Sequence, residues 1–223
     1  MNEYRAYVAE AIATFALVFV GAGSILADST AHFGLIGIAL AHGLVLMCMI
    51  YATAHISGAH INPAVTIGMW ATRRISLLNA LAYILSQLSG AAVAGLLLKI
   101  IFTGTPDALA LGTPMLGSSV SFIKGIIVEA ILTFLIVFTI FGVAVDKRAP
   151  QGMYGVAIGL VLTFDILTGG VLTGASMNPA RTFGPAIASG YWTNHAVYWI
   201  GPVIGSLVAA IVYTVLLEKR PKK

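Results

Sequence analysis

Charge is the scarcest property of this chain. Asp, Glu, Lys and Arg supply 9% of its 223 residues and hydrophobic residues 59%, against roughly a quarter charged in an ordinary soluble domain. So little charge excludes a water-solvated surface over most of the chain, and the solvent is lipid. Cysteine is nearly absent. Cys48 alone can form no intrachain disulfide and argues against a thiolate metal centre; at mid-span it reads as a packing residue. The apolar stretches hold no Ser/His, Asp/Asp or metal-ligand arrangement, so no enzyme chemistry, no metal and no cofactor is expected. The net charge of +4 does not point to nucleic acid either, because the cations sit at the ends of apolar runs.

What the chain has instead is long hydrophobic runs. A transmembrane helix needs about 20 mostly apolar residues, and six stretches qualify, near 7–27, 33–54, 77–102, 120–145, 153–173 and 195–217. Two shorter pieces, about 62–72 and 178–188, are too short to cross and read as half-helices. With six crossings, Arg5, Arg73, Arg74, Lys147, Arg148, Lys219, Arg220, Lys222 and Lys223 fall on one side, while the opposite loops around 28–32 and 103–119 hold no Lys or Arg. The positive-inside rule makes that side cytoplasmic. The expectation is a multi-pass protein of the cell (plasma) membrane with both termini in the cytoplasm. Met1 to Glu10 lacks the features of a cleaved signal, so the first span is retained.

The tripeptide Asn-Pro-Ala occurs twice, at Asn62-Pro63-Ala64 and Asn178-Pro179-Ala180, at the head of each half-helix. Asn is a strong N-cap and Pro suits the first helical position, where its missing N–H is not needed. Because proline disfavours helix in what precedes it, Gly58-Ala59-His60-Ile61 and Gly174-Ala175-Ser176-Met177 are expected to enter as extended backbone. Such backbone survives at membrane depth only where it lines protein or a watery cavity.

The two halves repeat each other. Glu10, Thr14 and Phe15 match Glu129, Thr133 and Phe134, Gly37 matches Gly155, and Tyr83 and Gly90 match Tyr198 and Gly205, with offsets between 115 and 119 throughout. The whole of 1–223 reads as one transmembrane channel domain, with repeat 1 over 1–105 and repeat 2 over 120–223. Three crossings per half force the second half upside down relative to the first. The half-helices then enter from opposite faces, and at 1.5 Å per residue two of about ten residues each span roughly the 30 Å hydrocarbon core. Their positive ends meet near the middle, where cations and protons are disfavoured. The amide NH2 groups of Asn62 and Asn178 can donate to a passing neutral molecule, and the carbonyls of Gly58, Ala59, His60, Ile61, Gly174, Ser176 and Met177 and their neighbours supply acceptors along the wall.

On these residues the chain resembles the aquaporins, the major intrinsic protein family of water and small-solute channels. The resemblance covers essentially the whole chain and rests on the segments from His55 to Thr66 and from Gly174 to Pro185. It implies an all-α membrane fold, six transmembrane helices plus two re-entrant half-helices in an inverted repeat, and a homotetramer whose subunits each hold a pore. It also implies an outer selectivity filter of four residues. Arg181 follows the second tripeptide directly, His42 stands 20 before Asn62, Ile166 stands 15 before Arg181, and Ala175 takes the loop position. That set is similar to the one in plant vacuolar channels, several of which pass ammonia or urea besides water. Thr182, Ala186, Tyr198 and Trp199 match water-channel positions, and the glycerol-type Asp after the arginine is absent. The expected function is a passive water channel that excludes protons and ions and also passes small neutral solutes such as ammonia or urea. The alternatives are a glycerol facilitator, or an ion-coupled secondary transporter, since inverted repeats with broken helices describe those as well.

Each site residue has a plainer reading. Arg181 could be a snorkelling cation, His42 a packing residue, and Ile166 and Ala175 filler. His60 could gate by protonation, though a wall or loop-anchoring role is favoured. Glu10 and Glu129 could relay protons; the favoured reading has them support the loops by accepting backbone N–H groups that otherwise lack partners. Gly21, Gly37, Gly43, Gly90, Gly159 and Gly205 suit close helix crossings. Asp165, beside Ile166, breaks the family pattern, and no role for it follows from the sequence.

Overall fold

The computed structural model describes residues 3–104 and 106–218, without the side chains of 107–109; Lys219, Arg220, Lys222 and Lys223 lie outside the described residues. Among the described residues six helices are long and apolar enough to cross a membrane. They are α1 (Glu3–Ala31), α2 (Gly34–Ser57), α4 (Leu77–Ile101), α5 (Phe122–Ile140), α6 (Tyr154–Thr173) and α8 (Val197–Val212). Two short helices, α3 (Pro63–Ala71) and α7 (Pro179–Ser189), stand between them. Both α5 and α8 finish in a π turn, Phe141–Val145 and Tyr213–Leu217.

One expected loop is helix. α1 runs through 28–31 and leaves only His32 and Phe33 before α2. The turn is held by the Gly34 N–H, which donates to Asp28 Oδ1 at 2.7 Å.

The halves interlock. α1 packs on α4 and α5 on α8, α2 meets α6 across the middle, and each short helix lies on the last helix of the other half, α3 on α8 and α7 on α4. Without a hydrophobic drive between helices in lipid, association depends on close backbone approach. Gly90 and Gly205 provide it at matched places. A Cβ at Gly90 would lie 2.1 Å from the Ala11 carbonyl oxygen, and one at Gly205 would lie 2.1 Å from that of Ala130. Gly37 differs from expectation, because its open face is filled by the Phe33 ring one turn away, not by another helix. Cys48 also differs: it is exposed on α2 and is not part of the buried core.

Candidate functional site

Each asparagine caps its short helix as its chemistry demands. Asn62 is extended (φ −155°, ψ 122°) and its Oδ1 accepts the Ala64 N–H at 2.8 Å. Asn178 is also extended (φ −147°, ψ 108°), and its Oδ1 accepts from Ala180 N at 3.0 Å and Arg181 N at 3.3 Å. Pro63 and Pro179 occupy the first helical positions. The amide nitrogens reach across the repeat: Asn62 Nδ2 donates to the Met177 carbonyl at 2.8 Å and Asn178 Nδ2 to the Ile61 carbonyl at 2.9 Å. One amide hydrogen of each pair is thus committed to the opposite loop, which leaves one for a molecule in the cavity.

The loops ahead of the tripeptides are not extended. Gly58, Ala59 and Ile61 have φ of 87°, 51° and 57°, and Gly174, Ala175 and Met177 have 78°, 44° and 53°. Proline restricts only its immediate neighbour, and those neighbours, Asn62 and Asn178, are extended as that rule requires. Left-handed backbone at a β-branched Ile61 is rare and strained, so something beyond local preference holds it. Glu10 does so in the first loop, accepting from His60 N (2.9 Å), Ile61 N (2.7 Å), Ser57 Oγ (2.7 Å) and Gln87 Nε2 (2.8 Å). In the second, Glu129 accepts from Ser176 N (3.0 Å), Met177 N (2.6 Å) and Thr173 Oγ1 (2.7 Å). With consecutive N–H groups turned to a carboxylate, the carbonyls turn away from it.

A cavity of about 370 Å3 lies within the bundle. At one end lie His55, Lys147, Gln151 and Tyr154; in the middle are Gly58, Ala59, His60, Ile61, Asn62, Ser176, Met177 and Asn178, facing apolar side chains such as Leu46, Ile136 and Leu162; His42 and Arg181 stand at the other end. Gly174, Ala175 and Ile166 do not line it. Gly174 caps α6 at a place where a Cβ would stand 3.0 Å from Pro114, and Ile166 and Ala175 are buried beside Gly170 and Gly169.

Arg181 is 2% exposed, an exceptional burial for a cation in apolar surroundings. Its Nη1 donates to the Gly112 carbonyl at 2.8 Å and its Nη2 approaches His42 Nε2 at 3.4 Å. Because guanidinium has no acceptor, that imidazole nitrogen must be the unprotonated one. His42 Nδ1–H therefore donates to the Ile38 carbonyl at 2.8 Å. The same logic fixes His60: the Thr66 hydroxyl donates to the Asn62 carbonyl at 3.1 Å, so it accepts from His60 Nδ1 at 3.1 Å. His60 is a loop anchor in this geometry, edge-on to Tyr83.

Comparison with known proteins agrees with this geometry. The family model described as "Major intrinsic protein" matches residues 1–213. The chain belongs to the major intrinsic protein family. It is 45% identical to "Aquaporin TIP4-4" of Zea mays, over 94% of this chain and 85% of that protein, and 40% identical to "Nodulin-26" of Glycine max, over 94% of this chain and 76% of that one. In structure it is similar to the aquaglyceroporin from Plasmodium falciparum, with a TM-score of 0.89, 26% identity and 97% of each chain covered. The protein is therefore an integral multi-pass membrane channel of the water and small-solute class and not an enzyme.

The roles of several residues of this aquaporin-type site escape sequence reasoning. Ser57 and Thr173 close the cradles around Glu10 and Glu129, and Tyr83 and Tyr198 donate to the carbonyls of those same two residues, each at 2.8 Å. Both pairs are repeat equivalents, so the duplication itself was the available signal. Gln87 lacks a counterpart, since Pro202 stands at its matched place. Gly112 contributes only its carbonyl and leaves no side-chain signature.

Proposed function

We propose that the chain is a passive water channel that excludes protons and other ions and also passes small uncharged solutes such as ammonia and urea. The observation that carries this reading is the single cavity that touches both capping asparagines and closes on His42 and Arg181. Two helix N-termini, each worth roughly half a positive charge, face the same point, and the buried guanidinium adds a full charge at the end of the path. A cation or a hydronium meets repulsion twice. A water molecule meets donors from the asparagines and acceptors from the loop carbonyls, separated by apolar wall, which favours single-file exchange of hydrogen bonds. The Arg181 Nε–H is buried without a partner and is a further donor for a permeating molecule.

In this reading His42 and Arg181, which line the cavity, form the selectivity filter together with Ile166 and Ala175, which enter it by their position in the family pattern. Glu10 and Glu129 are turned to the loop N–H groups and Asp165 does not line the cavity, so none of these three carboxylates faces the path as ion coupling would need, which favours a channel over a transporter. The distribution of cations favours termini in the cytoplasm; the cell membrane as its location and a homotetramer, the latter carried over from the family resemblance, complete the reading.

Stopped-flow light scattering on proteoliposomes under sucrose, glycerol, urea and ammonium gradients tests the reading. The expected result is fast osmotic water flow with low activation energy, measurable urea and ammonia entry, slow glycerol entry and no ionic conductance. Saturable flux that depends on a cation gradient overturns it, and urea or ammonia entry no faster than in protein-free vesicles removes the permissive part.

A further inference from the structure

His42 owes its place to a missing side chain on another helix. Gly21 of α1 is buried beneath it, and a Cβ built on Gly21 would stand 2.5 Å from His42 Nε2, 2.6 Å from Cδ2 and 3.1 Å from Cε1. The imidazole lies directly against the α1 backbone. The next residue carries the other half of the constriction: a Cβ on Gly112, whose carbonyl holds Arg181, would stand 2.8 Å from the Ala22 carbonyl oxygen and 3.0 Å from the Ala22 Cβ. Adjacent residues of one helix thus form a floor on which both constriction groups rest, one through its ring and the other through the backbone that anchors its guanidinium. Ser24 Oγ donates to the Gly21 carbonyl at 2.7 Å, so this helix turn carries an additional internal hydrogen bond.

We propose that Gly21, together with Ala22, is a specificity-determining positioning element: the bare backbone at 21 lets the His42 ring lie back against α1 and sets its clearance from Arg181. This rests on the reading of His42 and Arg181 as the filter. Packed interiors have no slack for a 2.5 Å contact. The ring also cannot slide freely, since Nδ1 is tied to Ile38 one turn away. A methyl at 21 therefore drives the imidazole off α1 and toward the passage that its ring lines, which narrows it. A narrow passage responds steeply, because one methylene of misfit discriminates between permeants by about tenfold or more.

The test compares wild type, G21A, H42A and G21A/H42A in proteoliposomes, reading the ratio of urea to water permeability. The expected result is that H42A raises the ratio, that G21A lowers it by about tenfold, and that G21A has no effect in the H42A background, where the ring it displaces is gone. A ratio unmoved by H42A defeats the filter reading and this inference with it. If H42A moves the ratio while G21A leaves it unchanged, or shifts it equally in both backgrounds, the filter stands and the role of Gly21 is overturned. Should G21A fail to accumulate as folded protein, recovery in G21A/H42A supports the conflict with His42, and failure of both variants refutes it.

Discussion

Asn62 donates its amide hydrogen to the Met177 carbonyl at 2.8 Å, so the cap of one short helix holds the loop that leads to the other. Asn178 returns the bond to Ile61. The two half-helices are therefore locked through their capping residues, and the strained positions Ile61 and Met177 are the ones that receive the lock.

Asn62→Asp separates the two tasks of this side chain. A carboxylate keeps an oxygen for Ala64 N–H but loses the donor to Met177 and faces that carbonyl with like charge. The loss should lower stability by about 1–3 kcal/mol, read as an earlier thermal transition in detergent. The added negative charge also offsets the helix termini, so N62D vesicles should show a cation leak that wild-type vesicles lack, measured by a potential-sensitive dye. Unchanged stability and unchanged conductance would sink this account of Asn62.

Glu10→Gln should be more damaging than its small change in shape suggests. The carboxylate takes four donors, and an amide presents one acceptor oxygen and turns an NH2 towards donors. Each hydrogen bond to a charged partner is worth about 1.5–3 kcal/mol, so loss of one or two leaves the left-handed loop without its support. E10Q and E129Q should both show reduced yield of folded protein and faster amide exchange at 58–61 and 174–177 respectively. Equal exchange in variant and wild type would mean that the loops hold themselves.

The segment between α5 and α6 is clipped outside the membrane-spanning helices by Asp146. Its carboxylate accepts from Arg148 Nε at 2.9 and 3.0 Å, from Arg148 N at 3.0 Å and from the Tyr213 hydroxyl at 3.1 Å. Arg148 also donates to the Leu217 carbonyl at 2.8 Å. The hydrogen bonds from Arg148 hold the Asp146 carboxyl well below the usual carboxylate range. A depressed folded value stabilises above the unfolded one, about 3.9, and that contribution is lost only as pH falls through the folded value. Asp146 and Lys147 line the mouth of the cavity. Amide exchange over 146–151 should therefore be flat from neutral pH down to about 4 once corrected for intrinsic rates, whereas Asp146→Asn should show faster exchange at every pH.

Thiol reagents should leave water flow intact. Cys48 is exposed on α2 and does not line the cavity, and the loop position nearest the filter holds Ala175. Mercurial treatment of vesicles containing wild type and C48S should give indistinguishable osmotic rates. A block in wild type that C48S relieves would place that thiol on the water path.

How much of this was legible before the structure differs by residue. The six spans and two half-helices followed from apolar length and from the capping chemistry of Asn-Pro, both local properties. The end of α1 was not legible, because Asp28-Ser29-Thr30 is polar and resembles a loop; in the fold Ser29 and Thr30 turn their hydroxyls back to the carbonyls of Leu26 and Ala27 and remain helical. The left-handed turns at Ile61 and Met177 were also hidden, since no local preference favours them and carboxylates from helices 51 and 48 residues earlier in the chain impose them. Duplication compensated in part: a residue repeated at a constant offset could be noticed even where its task could not be named, as with Tyr83 and Tyr198. Gly112 acts through backbone alone, where composition and spacing have nothing to report.

Among the described residues, Asp165 is the one buried acid with no hydrogen-bond partner for either oxygen. It is fully buried on α6, and Thr133 on the neighbouring α5 buries an unpartnered hydroxyl as well. Glu129, another buried acid of this half, already has three donors of its own. A polar group in this condition retains its desolvation penalty of about 1–3 kcal/mol, and replacing it with an apolar group of similar size removes that penalty. Asp165→Leu should accordingly raise the thermal transition in detergent, with Asp165→Asn staying close to wild type because the amide keeps the unpartnered polarity. Asp165 does not line the cavity, so the osmotic permeability of both variants should stay near that of wild type. If D165L instead unfolds the protein, the carboxyl is bound to something that these side chains do not supply, and an internal water bridging Asp165 to Thr133 becomes the group to look for by neutron or high-resolution diffraction.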